Sequence, residues 1–254
     1  MGMRQKAADD RPSLENLIER YDFGIEILHP GGLEITKELA TMCHLREDSR
    51  ILEVASGTGE SACFLAKEFG ATVTGVDISE HMIRRAESKC KGQNVRFTKA
   101  DANDLPFTDN SFDIVISECT LSLLNKKKVL GEMCRVLKSR GYVGFHDLYW
   151  KENAPTKLRE ELALIEDERP ETVEGWKRLL RSVGMEEVRS VDKSGLMPEW
   201  MRDSRKRLGF IGYLKAAAYV LRCWGIRGMV TVLRSERIFS SKYLGYCIVV
   251  GRKP

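Results

Sequence analysis

Short apolar runs alternate with segments of helical periodicity along most of the chain, and each run has the length of a buried strand. The runs that predict strands are residues 51–54, 71–76, 95–97, 112–117, 142–147, 188–191 and 246–251. Apolar residues at helical spacing predict helices between most of these strands, including one over 176–183. Strands that alternate with such helices predict an α/β domain with a mostly parallel sheet and right-handed crossovers.

Capping and breaking residues predict where two of these helices begin or end. Ser79 stands ahead of one helix, and a serine hydroxyl can accept a hydrogen bond from a free N–H of the first turn. Another helix carries apolar residues at helical spacing over 129–137. We expect it to end at residues 140–141, where a glycine follows an arginine.

Two helices are predicted ahead of the first strand. Apolar residues recur at helical spacing within 12–28, the sequence His-Pro-Gly-Gly interrupts them at 29–32, and a second helix follows over 33–43. We therefore predict an N-terminal helical lid over residues 1–44, above the carboxyl end of the first strand. The alternative is that these helices only cover one edge of the sheet.

The last two predicted strands are separated by residues 196–242, far more than a short connection needs. Between 202 and 237, nine residues are basic and two are acidic, a surplus of seven positive charges against four for the whole chain. Apolar residues at helical spacing lie among these cations, which predicts an inserted basic helical cap. A packed lid with a solvated basic face and a contact with a membrane or a lipid-like acceptor both stay open. Nucleic-acid binding is disfavoured, because the sequence shows no RNA-binding module.

The composition is that of a soluble globular protein, with 254 residues of which 43% are apolar and 31% are charged. Seven cysteines without a CxxC pair, several of them in apolar runs, predict mostly buried free thiols in a reducing, cytoplasmic compartment. The first twelve residues are polar and charged, which disfavours a signal peptide. There is no run of 18 uncharged apolar residues, so we expect no transmembrane helix.

Residues 51–59, Ile-Leu-Glu-Val-Ala-Ser-Gly-Thr-Gly, join a predicted strand to a helix through a glycine turn. Such a turn lets backbone N–H groups approach a ligand closely. Its glycines, with Ala62, also fit the pattern G-x-G-x-x-A, and Asp77 follows Gly57 by twenty residues, as in dinucleotide-binding enzymes. A nicotinamide- or flavin-dependent dehydrogenase is therefore one hypothesis.

Three acidic residues favour a different nucleoside. Glu53 lies within the first strand, where a carboxylate is costly unless it meets a cation such as the ammonium group of a methionine moiety. The alternative for Glu53 is a position at a solvated strand end. Asp77 and Asp101 follow successive strands, so that one can bind ribose hydroxyls and the other the exocyclic amine of adenine.

These residues resemble the class I S-adenosylmethionine-dependent methyltransferases over 45–192 and the last strand, together with an Asp-x-Val-Ile-Ser strand at 113–117. The resemblance implies a Rossmann-like, doubly wound seven-stranded sheet with an antiparallel last strand. It also implies a cofactor-binding core over 45–195 that is completed by residues 243–254. Ala55 departs from the first glycine of the family motif, and we expect its methyl group to be tolerated at negative φ.

The family's cofactor is S-adenosylmethionine (SAM), and the resemblance assigns contacts with it to twelve positions. They are Glu53, Ala55, Ser56, Gly57, Thr58, Gly59, Asp77, Ile78, Met82, Asp101, Ala102 and Ser117. Ser117 matches the position whose backbone faces the methionine end. The resemblance therefore implies where SAM binds and leaves the methyl acceptor open.

The stretch 117–123, directly after the fourth strand, is predicted to face the acceptor. Glu118 is either a general base or the partner of a lysine. Cys119 is either a nucleophile or soft ligand, or a small buried residue. The remaining catalytic candidates, for which a structural hydrogen bond is the alternative, are His29, His146 and Tyr21.

The same stretch resembles the type 11 small-molecule branch, which includes quinone, sterol and arsenite methyltransferases. The arsenite enzymes place a cysteine comparably to Cys119 but also use cysteines after the fifth strand, and residues 158–181 contain none. No metal site is therefore predicted.

The sequence thus predicts a methyltransferase that moves a methyl group from SAM to a small, partly apolar acceptor by proximity and orientation. A peripheral membrane or lipid-like contact through 202–237 is part of this prediction. One alternative is an RNA or protein methyltransferase that docks through the basic cap. The other is a protein that binds SAM without catalysis.

Overall fold

The computed structural model describes residues 11–13, Leu17 and residues 29–254, with the backbone alone at positions 204, 205, 207 and 208. Most of the helix predicted over 12–28, including Tyr21, lies outside the described residues. The described part of the chain has helices on both faces of one central sheet.

The sheet has seven strands, and the candidate site lies at the carboxyl ends of its parallel strands. The strands are β1 (Arg50–Val54), β2 (Thr72–Asp77), β3 (Val95–Lys99), β4 (Phe112–Glu118), β5 (Leu137–Trp150), β6 (Glu186–Asp192) and β7 (Leu244–Arg252). Their order is β3-β2-β1-β4-β5-β7-β6, and β7 runs antiparallel to β5 and β6, whereas the other pairs are parallel. The predicted doubly wound sheet with an antiparallel last strand is confirmed.

Seven helices of the described residues pack around this sheet. They are α1 (Gly32–Met42), α2 (Glu60–Phe69), α3 (Glu80–Lys89), α4 (Lys126–Val136), α5 (Thr156–Ile165), α6 (Val173–Ser182) and α7 (Leu196–Phe239), with a 3₁₀ turn at Leu121–Leu123. Ser79 caps α3 as its type and position predict, because its hydroxyl accepts from the Met82 N–H at 3.4 Å. The sequence did not predict α5.

The end predicted for the helix now labelled α4 is wrong. The helix ends at Val136, and β5 begins at once with Leu137, which pairs with Phe112 of β4. Gly141, which looked like a helix terminator, lies inside β5. A Cβ at this position would come within 2.7 Å of the Asp113 carbonyl oxygen, so the glycine allows the two strands to approach each other.

Each face of the sheet buries its own apolar core. In β1, Ile51 points to the face covered by α1, α2, α5 and part of α7, whereas Leu52 and Val54 point to the face covered by α4 and α6. Trp176 of α6 is fully buried, and its Nε1–H donates to the Leu148 carbonyl at 2.9 Å. The strands are therefore held rigidly from both sides, which fixes the loops at their ends.

α1, the second of the two helices predicted as a lid, packs on a face of the sheet. A Cβ on Gly144 of β5 would come within 2.8 Å of Leu39 Cδ1 and within 2.6 Å of Cys43 Sγ, at the end of α1. His29, just before α1, nevertheless reaches Glu118 at the end of β4. The lid formed by the preceding residues stays a prediction, because positions 18–28 lie outside the described residues.

α7 fills the long connection between β6 and β7. Gly209 (φ 58°, ψ 177°) and Gly225 (φ 66°, ψ −164°) have backbone conformations essentially limited to glycine, and they divide α7 into three helical segments. In the last segment, the hydroxyl of Ser235 donates to the carboxylate of Glu166 at the end of α5. This contact is buried and anchors α7 to the body of the protein.

The structure differs from the expectation of no membrane-spanning helix. Residues Gly209–Phe239 form a stretch of 31 residues that is long and apolar enough to cross a membrane, judged by length and composition alone. The sequence prediction required an uncharged run, whereas this stretch includes interspersed cations. Only 17% of its most apolar window is buried within the protein.

Cys63 of α2 and Cys90, directly after α3, form a disulfide. The expectation of free thiols is wrong for this pair, because the packing of α2 beside α3 brings together two cysteines that have no motif spacing. The other five cysteines are free. Of these, Cys43, Cys134 and Cys247 are buried, Cys119 is partly exposed and Cys223 is exposed.

Candidate active site

The carboxyl ends of β1, β2 and β4 place most of the predicted cofactor-binding residues at one edge of the sheet. β1 and β4 are neighbours, with Val54 paired to Ser117, so the residues that follow both strands share this edge. β2 lies on the other side of β1 and ends at Asp77. Ligands of open α/β sheets bind at this edge, where the direction of strand order changes.

Glu53 is buried within β1, with 3% of its surface exposed. Burial, and then the negative charge of Glu118, raise the pKa of Glu53 well above its usual range, although the Ala62 N–H favours the ionised form. Its Oε2 atom has no hydrogen-bond partner among the described residues. The solvated strand end, the alternative in the sequence, is therefore wrong, and Glu53 needs a partner that the described residues do not supply.

The turn after β1 is tied to the end of β2 by Asp77. One carboxylate oxygen of Asp77 accepts from the Gly57 N–H at 2.9 Å, and the other accepts from the Ser79 N–H at 2.8 Å. The Ser56 N–H donates to the Val76 carbonyl at 2.9 Å. These bonds hold the glycine turn and the Asp77 carboxylate in one rigid arrangement, with Thr58 between the two glycines.

The condition under which the Ala55 methyl group was expected to be tolerated, a negative φ, is not met. Ala55 has φ of 60°, in the left-handed region where an alanine costs about 1–2 kcal/mol relative to glycine. The chain must reverse direction directly after β1, and the family's glycine serves this turn without strain. Ala55 therefore keeps the turn at an energetic cost that the rest of the fold supports.

The remaining predicted cofactor residues surround the same edge. Ile78 is 55% exposed directly after Asp77, as a side chain that covers a ligand would be. Asp101 follows β3 and is exposed, and its Oδ1 accepts from the backbone and side chain of Asn103 at 2.8 Å each. Ser117 is fully buried, and its hydroxyl has no partner among the described residues. Met82 and Ala102 are partly exposed nearby in sequence, on α3 and after Asp101.

A second polar cluster consists of three residues that the sequence identified as catalytic candidates without predicting that they are in contact. Glu118 ends β4, His146 belongs to β5 and His29 precedes α1. The Glu118 carboxylate lies 3.1 Å from His146 Nε2 and 3.3 Å from His29 Nε2, and the two imidazole rings are 4.7 Å apart. His146 is fully buried, and the Glu118 side chain is 6% exposed. The lysine partner considered for Glu118 is therefore wrong.

The two histidines also affect the pKa of Glu118 and therefore its ionisation. Burial opposes its ionisation, but the attraction of His146 and His29 outweighs burial and holds the pKa of Glu118 well below its usual range. Burial lowers the pKa of His146, although Glu118 acts in the opposite direction. At neutral pH the cluster therefore holds a carboxylate and at least one neutral imidazole.

Two further residues position this cluster, and sequence reasoning missed both. The hydroxyl of Tyr246 lies 2.5 Å from His146 Nδ1, and the hydroxyl of Ser61 donates to Glu118 Oε2. Tyr246 pairs with Leu148 in the antiparallel β5–β7 register, which brings it diagonally beside His146. Only the pairing register reveals this contact, so no signal in the sequence could have found it.

Cys119 is placed beside the cluster but is not prepared as a nucleophile. Its backbone N–H donates to the His146 carbonyl at 2.8 Å, and its φ of 52° is in the left-handed region. Burial, and then the charges of Asp147 and Glu168, raise the pKa of the Cys119 thiol well above its usual range. The thiol is neutral at pH 7, which favours the interpretation of Cys119 as a small packed residue.

The chain is similar to known proteins in sequence and in fold. Residues 45–198 match a family model described as a methyltransferase domain. An uncharacterised protein of Haemophilus influenzae is 35% identical over 170 residues, which cover 63% of this chain and 68% of that protein. The 27-O-demethylrifamycin SV methyltransferase of Amycolatopsis mediterranei is 27% identical over 256 residues, which cover 94% of this chain and 90% of that protein.

The fold is similar to that of Haemonchus contortus phosphoethanolamine N-methyltransferase 2 in complex with SAM. The TM-score is 0.77 at 21% identity, over 91% of this chain and 55% of that one. Plasmodium falciparum phosphoethanolamine N-methyltransferase is 30% identical over 128 residues, 49% of this chain and 48% of that protein. This chain therefore spans about half the length of these phosphoethanolamine relatives.

The residues at the carboxyl edge fit SAM. Three buried polar atoms there lack a partner among the described residues, namely Glu53 Oε2, Ser56 Oγ and Ser117 Oγ. A Cβ on Gly57 would have no atom within 4 Å, so space is open above the turn. A cation for Glu53, a nucleoside over the glycine turn and hydroxyls for Asp77 are the features that SAM combines.

We predict that Gly59→Ala disrupts this cradle. Gly59 has φ of 74°, and a Cβ would lie 2.5 Å from Phe97 Cζ and 2.9 Å from Ala86 Cβ. Strain and overpacking are expected to lower the free energy of unfolding by about 3 kcal/mol. The distorted turn is expected to bind S-adenosylhomocysteine (SAH) at least tenfold more weakly, as measured by calorimetry.

Gly92→Ala is the matched control, because Gly92 has φ of 78° and no atom within 4 Å of the added Cβ. It should cost about 1 kcal/mol from backbone strain alone and leave the SAH affinity unchanged. Equal losses of affinity in the two variants would contradict a specific role for the packing of Gly59.

Proposed function

Since the chain belongs to the methyltransferase domain family, the class I SAM-dependent enzymes, we propose that it methylates a small, partly apolar acceptor. The observation that carries the proposal is the buried cluster of Glu118, His29 and His146, one residue beyond Ser117 of the cofactor cradle. Such a cluster, enclosed within the protein, suits a small polar group better than an exposed macromolecular chain.

The cradle residues hold the cofactor in this proposal. Glu53 pairs with the ammonium group of the methionine moiety, which supplies the cation that the buried carboxylate lacks. Asp77 binds the ribose hydroxyls while it keeps the glycine turn in place, and Asp101 binds the amine of adenine. When bound, SAM supplies an electrophilic methyl group on its sulfonium.

The cluster forms the polar end of the acceptor site. Glu118, held by Ser61, and His146, held by Tyr246, contact the polar atom of the acceptor and orient one of its lone pairs toward the methyl group. A bond forms from this atom to the methyl carbon, the carbon–sulfur bond breaks, and the electron pair stays on SAH. The proton of the acceptor leaves to solvent.

The names of the relatives, as well as the site, support the proposed class of acceptor. One relative that aligns over 94% of this chain is named for 27-O-demethylrifamycin SV, and others are named for phosphoethanolamine. These names span a natural product and phosphoethanolamine, a small amine. The apolar face described below favours an acceptor with an apolar part.

We predict that Asp77→Ala weakens SAH binding at least 100-fold in calorimetry and abolishes methyl transfer from labelled SAM to a panel of small acceptors. The variant loses both the proposed ribose contact and the two hydrogen bonds that hold the turn. Asp48→Ala is the control, because Asp48 has a side chain that is 83% exposed and lies away from the cradle. It should leave both measurements unchanged.

Three outcomes would contradict the proposal. Unchanged SAH affinity in Asp77→Ala would remove the assigned cofactor site. SAM binding by the wild-type protein without transfer to any small acceptor would indicate a protein that binds SAM without catalysis. Transfer to RNA or protein in place of small molecules, with steep salt dependence for RNA, would favour docking of a macromolecule through the basic cap.

We further infer that α7 contacts an anionic membrane surface, where a lipid-like acceptor is found. Ten large apolar side chains are exposed among the described residues, and eight of them belong to α7. They are Phe210, Ile211, Tyr213, Leu214, Leu221, Ile226, Val230 and Leu233. Exposed large apolar side chains concentrated on one element are typical of a surface that contacts a partner.

The two longer segments of α7 have the same arrangement. A helical step of about 100° per residue places Phe210, Leu214 and Leu221 on one exposed face, while Val220 is buried on another. Lys215 and Arg222 border this apolar face and are exposed. Cations that border an apolar face suit the headgroups and the acyl boundary of an anionic bilayer.

The last segment repeats this pattern with different residues. Ile226, Val230 and Leu233 share an exposed face, and Arg227 and Arg234 border it. The same surplus of cations disfavours pairing with a second copy of α7, because two such helices would repel each other. An anionic membrane surface is therefore the occupant that the charges favour.

We predict that the protein co-sediments with vesicles that contain phosphatidylglycerol and at least tenfold less with vesicles of phosphatidylcholine alone. The double variant Phe210→Ser with Ile226→Ser should reduce binding to the anionic vesicles at least tenfold. Leu164→Ser is the matched control, because Leu164 is 77% exposed but belongs to α5. It should bind as the wild-type protein does.

Absence of binding to anionic vesicles would contradict the membrane contact. A concentration-dependent dimer that the double variant abolishes would instead assign the apolar face to a second copy. Equal losses in Leu164→Ser and the double variant would mean that general apolar exposure, and not α7, decides binding.

A further inference from the structure

The cluster at the acceptor end of the site has the composition of a metal centre. His29, Glu118 and His146 each present one ligand atom, and these atoms all lie within 4.8 Å of one another. Two ligands that are each about 2.1 Å from one ion in tetrahedral geometry are separated by about 3.4 Å. Glu118 Oε1 lies 3.1 Å from His146 Nε2 and Glu118 Oε2 lies 3.3 Å from His29 Nε2, so each carboxylate oxygen faces one histidine at close to this separation.

We propose that His29, Glu118 and His146 bind one divalent cation of the zinc type through Nε2 of each imidazole and the Glu118 carboxylate. The site lies at the acceptor end of the proposed active site, so its role in catalysis rests on the proposed function. Its ability to bind a cation does not.

Unsatisfied atoms support this assignment. Glu118 Oε1 and His146 Nε2 are buried and make no hydrogen bond among the described residues, although they are 3.1 Å apart. The two atoms face each other at a separation at which both can bind one cation. A buried atom that accepts no hydrogen bond is costly, and a cation between the two would satisfy both.

The charge of the site also calls for a cation. Asp147 is buried, the side chain of Glu118 is 6% exposed, and Glu53 lies on the neighbouring strand β1. Glu118 faces two histidine nitrogens, and no ion pair joins it to a lysine or arginine among the described residues. SAM brings a cation to Glu53, and a metal ion would bring one to Glu118.

The ligands are oriented as metal ligands usually are. The hydroxyl of Tyr246 contacts His146 Nδ1 at 2.5 Å, which fixes the ring and leaves Nε2 directed at Glu118. The Ser61 hydroxyl donates to Glu118 Oε2, which fixes the carboxylate. A hydroxyl of Thr36 lies 3.4 Å from Ser61 Oγ and extends this support onto α1.

The donor set indicates the class of cation. Two imidazole nitrogens and one carboxylate oxygen form the ligand set of catalytic zinc sites, in which the fourth position stays open to water or substrate. A Lewis acid at that position would hold a hydroxyl or thiol of the acceptor and lower its pKa. The acceptor could then be methylated without a strong protein base.

The test titrates the full-length protein, cleared of metal with a chelator, with Zn²⁺ in a calorimeter, and with Co²⁺ in an absorption spectrometer. We expect one ion per chain and a Co²⁺ spectrum of nitrogen and oxygen ligands. Glu118→Gln should weaken Zn²⁺ binding at least 100-fold. Tyr246→Phe, which retains all three ligands, should weaken it about 10- to 100-fold.

Two controls keep the result specific. His81→Ala removes an exposed histidine of α3, and Cys223→Ser removes the exposed thiol, and both should bind Zn²⁺ as the wild-type protein does. SAH binding by every variant, measured separately, shows that each one is folded. If SAH fails to bind the wild-type protein, the proposed function fails while the metal titration still reports on the cluster.

Absence of stoichiometric Zn²⁺ binding by the wild-type protein would overturn the proposal. So would binding that persists in Glu118→Gln but disappears in Cys223→Ser, because the ion would then belong to the exposed thiol. Equal loss in Tyr246→Phe and His81→Ala would also contradict it, since only the first residue touches a proposed ligand.

Discussion

Two carboxyl groups, those of Glu53 and Glu118, are buried on neighbouring strands at one edge of the sheet, and each is costly there without a cation. Much of the site follows from this constraint. The fold supplies two histidines to Glu118, whereas Glu53 Oε2 has no hydrogen-bond partner among the described residues. In our proposal, the ammonium group of SAM supplies the cation that pairs with Glu53.

The antiparallel strand β7 contributes a side chain to the cluster around Glu118. It follows α7, and its Tyr246 reaches the same cluster that His29 reaches from the residues before α1. Elements from three distant parts of the sequence thus meet at Glu118. In our proposal, α7 brings the protein to a lipid surface, and β7, which follows it, supports the residues that bind the acceptor. Consecutive elements of the chain would then serve membrane contact and acceptor binding.

Much of the fold follows from the sequence, because apolar runs, helical spacing and the glycine turn are local signals. The same signals placed Glu53 within the first strand and Asp77 and Ser117 at strand ends, and parallel strands bring such ends together. The contact between Tyr246 and His146 depends on strand register, and the disulfide of Cys63 and Cys90 depends on helix packing, and neither is encoded locally. The positive φ of Ala55 is not a local signal either, because the sequence shows only that an alanine stands where the family has a glycine.

The central claim is that the edge formed by β1, β2 and β4 is built for SAM and not for a nicotinamide dinucleotide, which the glycine pattern also allows. The most direct measurement is the thermal unfolding midpoint of the protein with SAH and with NAD⁺ at equal concentrations. SAH is expected to raise the Tm, with about 2.7 kcal/mol of stabilisation at one hundred times its Kd, while NAD⁺ should leave it unchanged. A rise with NAD⁺ and none with SAH would contradict this claim.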